Sequence, residues 1–517
     1  MPVALIPAAA RATVIPRWAV CDLPFASDTS HANPFLVPFS ASARGPSGLE
    51  LGLPGFFDGN GTWKIRFSPP AIGEWTLTTS STDEALNART VRIRCATNED
   101  PNVHGGLLVD PEHPYHFVHE DGTRHFLSGY ECDWLWALPQ EKLVPFLDRL
   151  KAHGFNHILL NAYAHDCHWR KGATGPDDYG PPDLYPWGGD NNRPDFSRLN
   201  LEYWRHYDGV IEALCERGIT AHIMIKVYNK MVRWPDRYSP EEEMYFRWLI
   251  ARYSAFPNVI WDFSKETYNE KNVDYKISRF RLIRRLDPYG RLVTCHDDHD
   301  HYDKGTYDAY LDFESDQQHS HWHEVILKHR ARRACPAVNV EYGYEHGPGG
   351  SQDKTYGVVQ APEEVLRRAW LVYMAGGYGA YYYTNTAWDI IRPEETPPGY
   401  VYFAHLAAFF ARTGYWSLEP GDDLVEPGHC LARPGQEYIV YLPTAEPFVL
   451  HVSEADRLLP ATWFNPLTGQ THAGVEVANG ANHLTPPWSE GPAALHVGQP
   501  PSVKLAERLS CMIRHGD

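Results

Sequence analysis

The stretch WDFSKETYNE, residues 261–270, sets a lysine and a glutamate side by side just where an apolar, β-branched run, FPNVI, has ended. A buried strand closes about here, and Lys265 and Glu266 stand at its tip. A second carboxylate, Glu341, closes the run AVNVEY near residue 337. Side chains alternate along a strand, so Asp262, Ser264 and Glu266 are expected on one face, with Lys265 pointing away. Asn339 and Glu341 are likewise expected to share a face. Two carboxylates ~5–5.5 Å apart can cleave a glycosidic bond with retention, one attacking and the other protonating the leaving oxygen. Glu266 and Glu341 are the candidates for that chemistry. Glu345 and Glu314 are the rivals for the attacking group.

For two such residues to face each other, the fold must bring distant strand ends together. From about residue 110, strand-like runs alternate with amphipathic helix-like ones. The strand candidates are HFLSGYE, NHILLN, ITAHIMIK, NVIWDFS, RLVTCH, AYLDFE (309–314), AVNVEY and YGAYYYTN. Between them, PQEKLVPFLDRLKAHG and LEYWRHYDGVIEALCERG end in glycine, as helix C-termini favour. PEEEMYFRWLIARYSAFP and APEEVLRRAWLVYMAGG open with proline and acids, as helix N-termini favour. The gap between the fifth and sixth strands is short for a helix. Eight β/α units predict an α/β fold, a (β/α)8 TIM barrel over residues 109–416. A doubly wound sheet is the alternative, but no glycine-rich phosphate loop follows the first strand. In the barrel, strands 4 and 7 carry Glu266 and Glu341 on opposite sides of one mouth.

The flanks have a different texture. Residues 1–108 read as short strands and turns, with alternation in TWKIRF and again over residues 75–79 between the turns DGNG and PPAIGEW. Residues 417–517 repeat that texture in QEYIVYLP, PFVLHVS, ATWFNPLTGQT and AALHVG. Both are expected to be β-sandwiches. We find no internal repeat and no low-complexity tract.

The chain has 517 residues and a formal net charge of −18, which argues against nucleic acid as a partner. No apolar run approaches the ~20 residues of a membrane span. The N-terminal MPVALIPAAARATVIPRW lacks a basic start, and prolines break its apolar run, so no secretory signal is read. Nine cysteines without a CxxC pair fit a reducing cytoplasm, the expected location. Seventeen Trp and 30 Tyr suit either sugar stacking or large packed cores.

Active groups of such barrels sit at the C-terminal strand ends. Of the residues there, Asp133, Trp134, Asn161, Lys265, His296, Glu314, Tyr342 and Trp388 are expected to contact substrate. The run HDDHDHYD, residues 296–303, invites a metal reading, as does HSHWH further on. On an extended chain neighbouring side chains diverge, so not all of that run could hold one ion. No metal and no cofactor is expected.

PNVIWDFSKE resembles the NVIWDLxNE strand 4 of the clan A retaining glycoside hydrolases, and PAVNVEYGYE resembles their strand 7. The segment from GPSG through PGFFDGNGTWKIRFSPPAIGEWT is similar to the N-terminal β-sandwich of an uncharacterised group related to the apiosidase-like family. FLSGYECDWLWAL and NAYAHD resemble that group's first two barrel strands, and FNPLTGQ its C-terminal sandwich. The resemblance covers nearly the whole chain. It implies that Glu266 is the acid/base and Glu341 the nucleophile. Lys265 departs from the pattern, because the clan usually has an asparagine there on the sugar 2-hydroxyl. Lys265 is expected not to pair with Glu266, but to pair with Glu314 or donate to a substrate oxygen.

The expected activity is a retaining glycosidase, exo-acting on small oligosaccharides or glycosides, with carbohydrate as the only partner and a homo-oligomer left open. The loop CHWRKGATGPDDYGPPDLYPWGGDNNRPDF could wall off a pocket. Three other readings stand beside it. One is a metal-dependent hydrolase using residues 296–303. Another is a class I aldolase on Lys265 or Lys226, which needs a desolvated lysine free of carboxylates. The third is a non-catalytic carbohydrate-binding protein.

Overall fold

The computed structural model describes residues 4–5, 13–165, 184–298, 305–348, 359–387 and 391–501. Its centre is a ring of parallel strands. In chain order these are Ser128–Glu131, His157–Asn161, Thr220–Val227 and Val259–Lys265, then a fifth strand split into Val293–Thr294 and His296–Asp298. Glu314–Gln317, Ala337–Glu341 and Tyr378–Tyr383 complete the set, here called barrel strands 1 to 8. Strand 1 pairs with strands 2 and 8, and each other neighbour pair is also parallel. The ring closes through the split strand, whose first half pairs with strand 4 and whose second half pairs with strand 6. Every residue of strand 3 is buried, as expected where helices cover one face of a sheet and a filled lumen the other.

The helices begin where the sequence marks them. Asn200 caps Leu201–Glu216 by accepting from Glu202 N–H. Ser239 caps Pro240–Tyr253, with proline first and three glutamates in the opening turn. The expected sixth strand is displaced. Asp308–Tyr310 is a 3-10 turn, and pairing starts only at Glu314. Leu311 and Phe313 are buried in alternation, which mimics a strand. Asp312 between them accepts Val293 N–H and pairs with Arg284, so this segment is anchored by its side chains before the ladder begins.

A small sheet of Leu107–Val109, Phe117–His119 and Arg124–His125 covers the N-terminal end of the barrel. Its Phe117 packs on Phe313 and Tyr378, the residues that enter strands 6 and 8. Inside, His157 and His222 share a hydrogen bond of 3.0 Å, and His222 meets Asp262 at 2.9 Å.

The N-terminal domain is one eight-strand path folded around a core that includes Trp63, Trp75, Ile65 and Ile93. The long strand Glu50–Gly59 serves both layers, pairing first with Phe39–Arg44 and then with Thr62–Phe67. At the changeover, Gly55 is required, since a Cβ there would lie 2.3 Å from the Phe39 ring. This domain docks on the barrel through buried charges. Arg66 holds Asp22 and Asp208, and Arg252 holds Asp208 and Asp58. At the other end, the strands beyond Glu419 form two sheets, of six and three strands, around Tyr438, Val440, Leu450 and Trp463. Tyr441 of this domain stacks on Trp370 of the helix Pro362–Met374, with ring centroids 4.9 Å apart.

Candidate active site

Strand 4 delivers both Lys265 and Glu266 to the same mouth of the barrel, against the alternation expected of it. Phe263 packs on Tyr275 and Phe280 of the outer helix Val273–Leu286. Lys265, two residues on, crosses the lumen to Glu131 of strand 1 and donates to the Tyr382 hydroxyl of strand 8 at 2.9 Å. The register with strand 3 holds through Lys265, which lies opposite Val227, so Phe263 and Lys265 leave the same strand for opposite sides without an inserted residue. Glu266 then adopts the left-handed region, φ 52° and ψ 53°, which turns the chain and its carboxyl group at once. Such a backbone is costly for a non-glycine residue and clusters at functional sites.

The surroundings of the two glutamates differ. Glu266 accepts from Asn229 Nδ2 and, at 3.0 Å, from Asn269 Nδ2. Burial pushes its pKa up, and the negative charge of Glu341 adds to that. Glu341 accepts from the Tyr344 hydroxyl and, at 3.4 Å, from the Tyr382 hydroxyl. Lys265 Nζ lies 3.7 Å from its Oε2, His296 Nε2 3.9 Å from the same atom, and His319 Nε2 4.0 Å from Oε1. Burial alone would raise the pKa of Glu341, but the ammonium of Lys265, followed by the two imidazoles, holds it below the usual carboxylate range. One carboxyl group is thus biased toward its acid form and the other toward its anion. That division is what a proton donor and a nucleophile require.

Lys265 itself stays charged. Burial opposes its charge, but Asp133, Glu131 and Glu341 together raise its pKa well above the ordinary value. A Schiff-base lysine needs the opposite. Lys226 points out of the ring, to Glu242 at 3.0 Å and Tyr275 at 2.9 Å.

The model of the apiosidase-like catalytic domain matches residues 112–441, well over half of the chain. The chain belongs to the apiosidase-like family. It is accordingly a glycosidase. A model of a domain of unknown function matches residues 14–82, and one assigned to collagen binding in a collagenase matches residues 421–494. No curated protein matches the chain at a significant level. Among solved structures, a Bacteroides vulgatus protein classed as a glycoside hydrolase aligns with TM-score 0.81 at 20% identity, over 95% of this chain and 100% of that one. A glycoside hydrolase family 5 protein of the same species aligns with TM-score 0.58 at 18% identity, over 80% of this chain and 97% of that one. At these identities the likeness is one of fold.

In this apiosidase-like barrel, five of the eight expected contact residues gather around the glutamates. Asp133 accepts from Asn161 Nδ2 at 3.2 Å and lies 3.6 Å from Lys265. Trp134 lies under the ammonium of Lys230, 5.6 Å from its ring centroid. His296 bonds Gln317 at 3.0 Å, and burial brings its pKa down to about 4, so it is neutral near pH 7. Lys265 and Asn161 complete the group.

Two expectations do not hold. Glu314 opens strand 6 at the other end of the barrel, opposite Ala337, and is held there by Arg332. The strand starts later than its apolar pattern indicated, which moves this carboxylate from the mouth to the floor. It cannot be the partner of Lys265; Glu131 is. Tyr342 faces outward, with its ring over Gly379, whose added Cβ would meet it at 2.7 Å. The phenols at the mouth are Tyr344 and Tyr382. Trp388 and residues 299–303 of the histidine-rich run lie outside the described residues.

The rival Glu345 also leaves the site. Its Oε2 accepts from Tyr381 at 2.7 Å and from Gly399 N–H at the start of the helix Pro398–Phe410. Sequence reasoning missed Asn229, Lys230, His319, Gln317, Tyr344 and Tyr382. The dipeptide Asn229–Lys230 follows strand 3 directly, so reading two residues past Tyr228 would have found it. His319 opens the run HSHWH, whose imidazoles suggest a metal rather than a barrel mouth, and its place is set by the true end of strand 6. A groove of about 690 Å³ between Ser40, Thr78 and Arg285 lies away from this mouth and holds none of its carboxylates.

Proposed function

We propose that this glycosidase acts with retention, by double displacement through Glu341 and Glu266, on small oligosaccharides or glycosides. What carries the reading is the opposite bias of the two carboxyl groups, Glu266 upward and Glu341 downward. In the first step Glu341 attacks the anomeric carbon as Glu266 gives its proton to the departing oxygen. In the second, Glu266, now a base, takes a proton from water as the glycosyl ester opens. Lys265 and Tyr382 keep Glu341 ionised for the attack. Among the described residues, Asn161 Oδ1, Asn229 Oδ1, Trp134 Nε1 and His296 Nδ1 are buried and lack a protein hydrogen-bond partner. Such donors and acceptors suit a polyhydroxylated ligand.

An exo mode is the reading of the long insertion after strand 2, of which residues 166–183 lie outside the described residues. A cytoplasmic location is supported by the cysteine pattern alone. Among the described residues no helix is long and apolar enough to cross a membrane.

The test is a panel of aryl pyranosides and furanosides of both anomers, with the first-formed product followed by proton NMR. Retention of anomeric configuration is expected, with turnover unchanged after prolonged EDTA. An inverted first product, or activity lost to chelation and restored by Zn²⁺ or Mn²⁺ with no change in Tm, overturns the reading.

A further inference from the structure

Where the barrel meets the C-terminal domain, three side chains from different elements converge. His323 lies in the helix Trp322–Arg332, Asp422 opens the 3-10 turn Asp422–Leu424, and His429 opens the strand His429–Arg433. Asp422 Oδ2 is 2.7 Å from His323 Nε2 and 3.1 Å from His429 Nδ1. The two imidazole centroids are 4.1 Å apart, and all three donor atoms lie within 4.8 Å of one another.

The outer contacts of this cluster fix its donor atoms. His323 Nδ1 faces the Leu371 carbonyl at 3.0 Å. A carbonyl only accepts, so Nδ1 carries the proton and Nε2 is the nitrogen of the neutral ring that has a lone pair. That lone pair points at a carboxylate oxygen, a contact that needs a cation between them or an extra proton on the ring. Asp422 Oδ1 is occupied in turn by Cys430 N–H at 2.9 Å, leaving Oδ2 for the cluster. A ring nitrogen oriented by a carbonyl and a carboxylate oriented by a backbone N–H are the supports that hold metal ligands in place.

We propose that His323, Asp422 and His429 form a Zn²⁺ site that ties the barrel to the C-terminal domain. Two imidazoles and one carboxylate match the donor preference of this ion, and a water completes four ligands. Asp422 and His429 are 34% and 25% exposed, which leaves room for that water. Ligand atoms about 2.0 Å from one ion in tetrahedral array stand about 3.3 Å apart. The ion therefore replaces the shared protons, and the carboxylate oxygen draws back from each imidazole nitrogen by a few tenths of an ångström. The other convergent group, Glu314, Asp316 and His329, does not qualify, because Arg332 already supplies a cation to Glu314.

The experiment is calorimetric titration of the EDTA-stripped full chain with ZnCl₂, on wild type, Asp422→Asn and His429→Ala. One equivalent is expected to bind the wild type, at least about tenfold more weakly to either variant. Zn²⁺ should raise the Tm of the wild type and not of Asp422→Asn. Co²⁺ in place of Zn²⁺ should give the visible absorption of a tetrahedral ion. Absence of stoichiometric binding, or binding that survives both substitutions, overturns the proposal. If both variants fail to fold, anomalous scattering at the zinc edge from wild-type crystals decides. A peak bonded to these three atoms supports the site, and its absence overturns it.

Discussion

Lys265 gives its ammonium to Glu131, 134 residues earlier in the chain, and not to Glu266 beside it. The pair spans the lumen from strand 4 to strand 1 and is fully buried. From there the ammonium also faces Glu341, so its charge favours the anion of this proposed nucleophile more than it lowers the pKa of Glu266.

Replacing Lys265 with methionine should therefore move the acid limb of the pH–rate profile, which Glu341 sets in the proposed mechanism. Removing a cation 3.7 Å from the carboxylate should raise that limb by about one to three pH units. The basic limb should move less. Because Glu131 would be left buried and unpaired, the profile is best read in the Glu131→Gln, Lys265→Met double variant as well. An acid limb that stays in place in both would show that Lys265 does not set the state of Glu341.

Asn229 should act on the other limb. Its amide donates to Glu266 and favours the ionised form, so removing it favours the acid. Asn229→Ala is expected to shift the basic limb upward, by about half to one unit. A downward shift would mean that Asn229 does not oppose protonation of Glu266.

The roles of the two glutamates separate by leaving group. Glu341→Ala should abolish turnover on every substrate, since no covalent intermediate can form. Glu266→Ala should retain activity on aryl glycosides with acidic phenols, and azide should restore part of the rest. If good and poor leaving groups lose equally, Glu266 is not the proton donor.

Stability should be most sensitive at the junction of the N-terminal domain and the barrel. Asp208 serves two guanidinium groups, Arg66 and Arg252, whose side chains are 1% and 0% exposed. Asp208→Ala leaves both with a partner missing and should cost about 3–5 kcal/mol in urea unfolding. A loss below 1 kcal/mol would show that Asp22 and Asp58 suffice.

The barrel was legible because strands 2, 3, 4, 7 and 8 are largely apolar runs bounded by turns and caps. The sixth was misplaced because Leu311 and Phe313 are buried in alternation without a ladder, and burial is what an apolar pattern reports. That shift alone sent Glu314 to the wrong end and hid His319 and Gln317. Alternation with Phe263, which packs outward, sends Lys265 away from the lumen, yet Glu131 and Tyr382 hold its ammonium there. Its partner Glu131 lies at the end of strand 1, so no spacing in the sequence could join the two. Tyr342 was taken for a mouth residue because it follows Glu341, but it is the outward member of that step.

The left-handed backbone of Glu266 sets the enzyme's durability against its turnover. A glycine accepts that conformation without strain, and Glu266→Gly also removes a half-buried carboxyl group from the neighbourhood of another. The exchange should make the protein more stable by about 1 kcal/mol, visible as a raised Tm, while removing the proposed proton donor. A library screened for heat resistance without an assay for sugar release would therefore drift toward a robust, inert barrel. A Tm unchanged or lowered in Glu266→Gly would show that the surrounding hydrogen bonds, and not the local backbone, decide the balance.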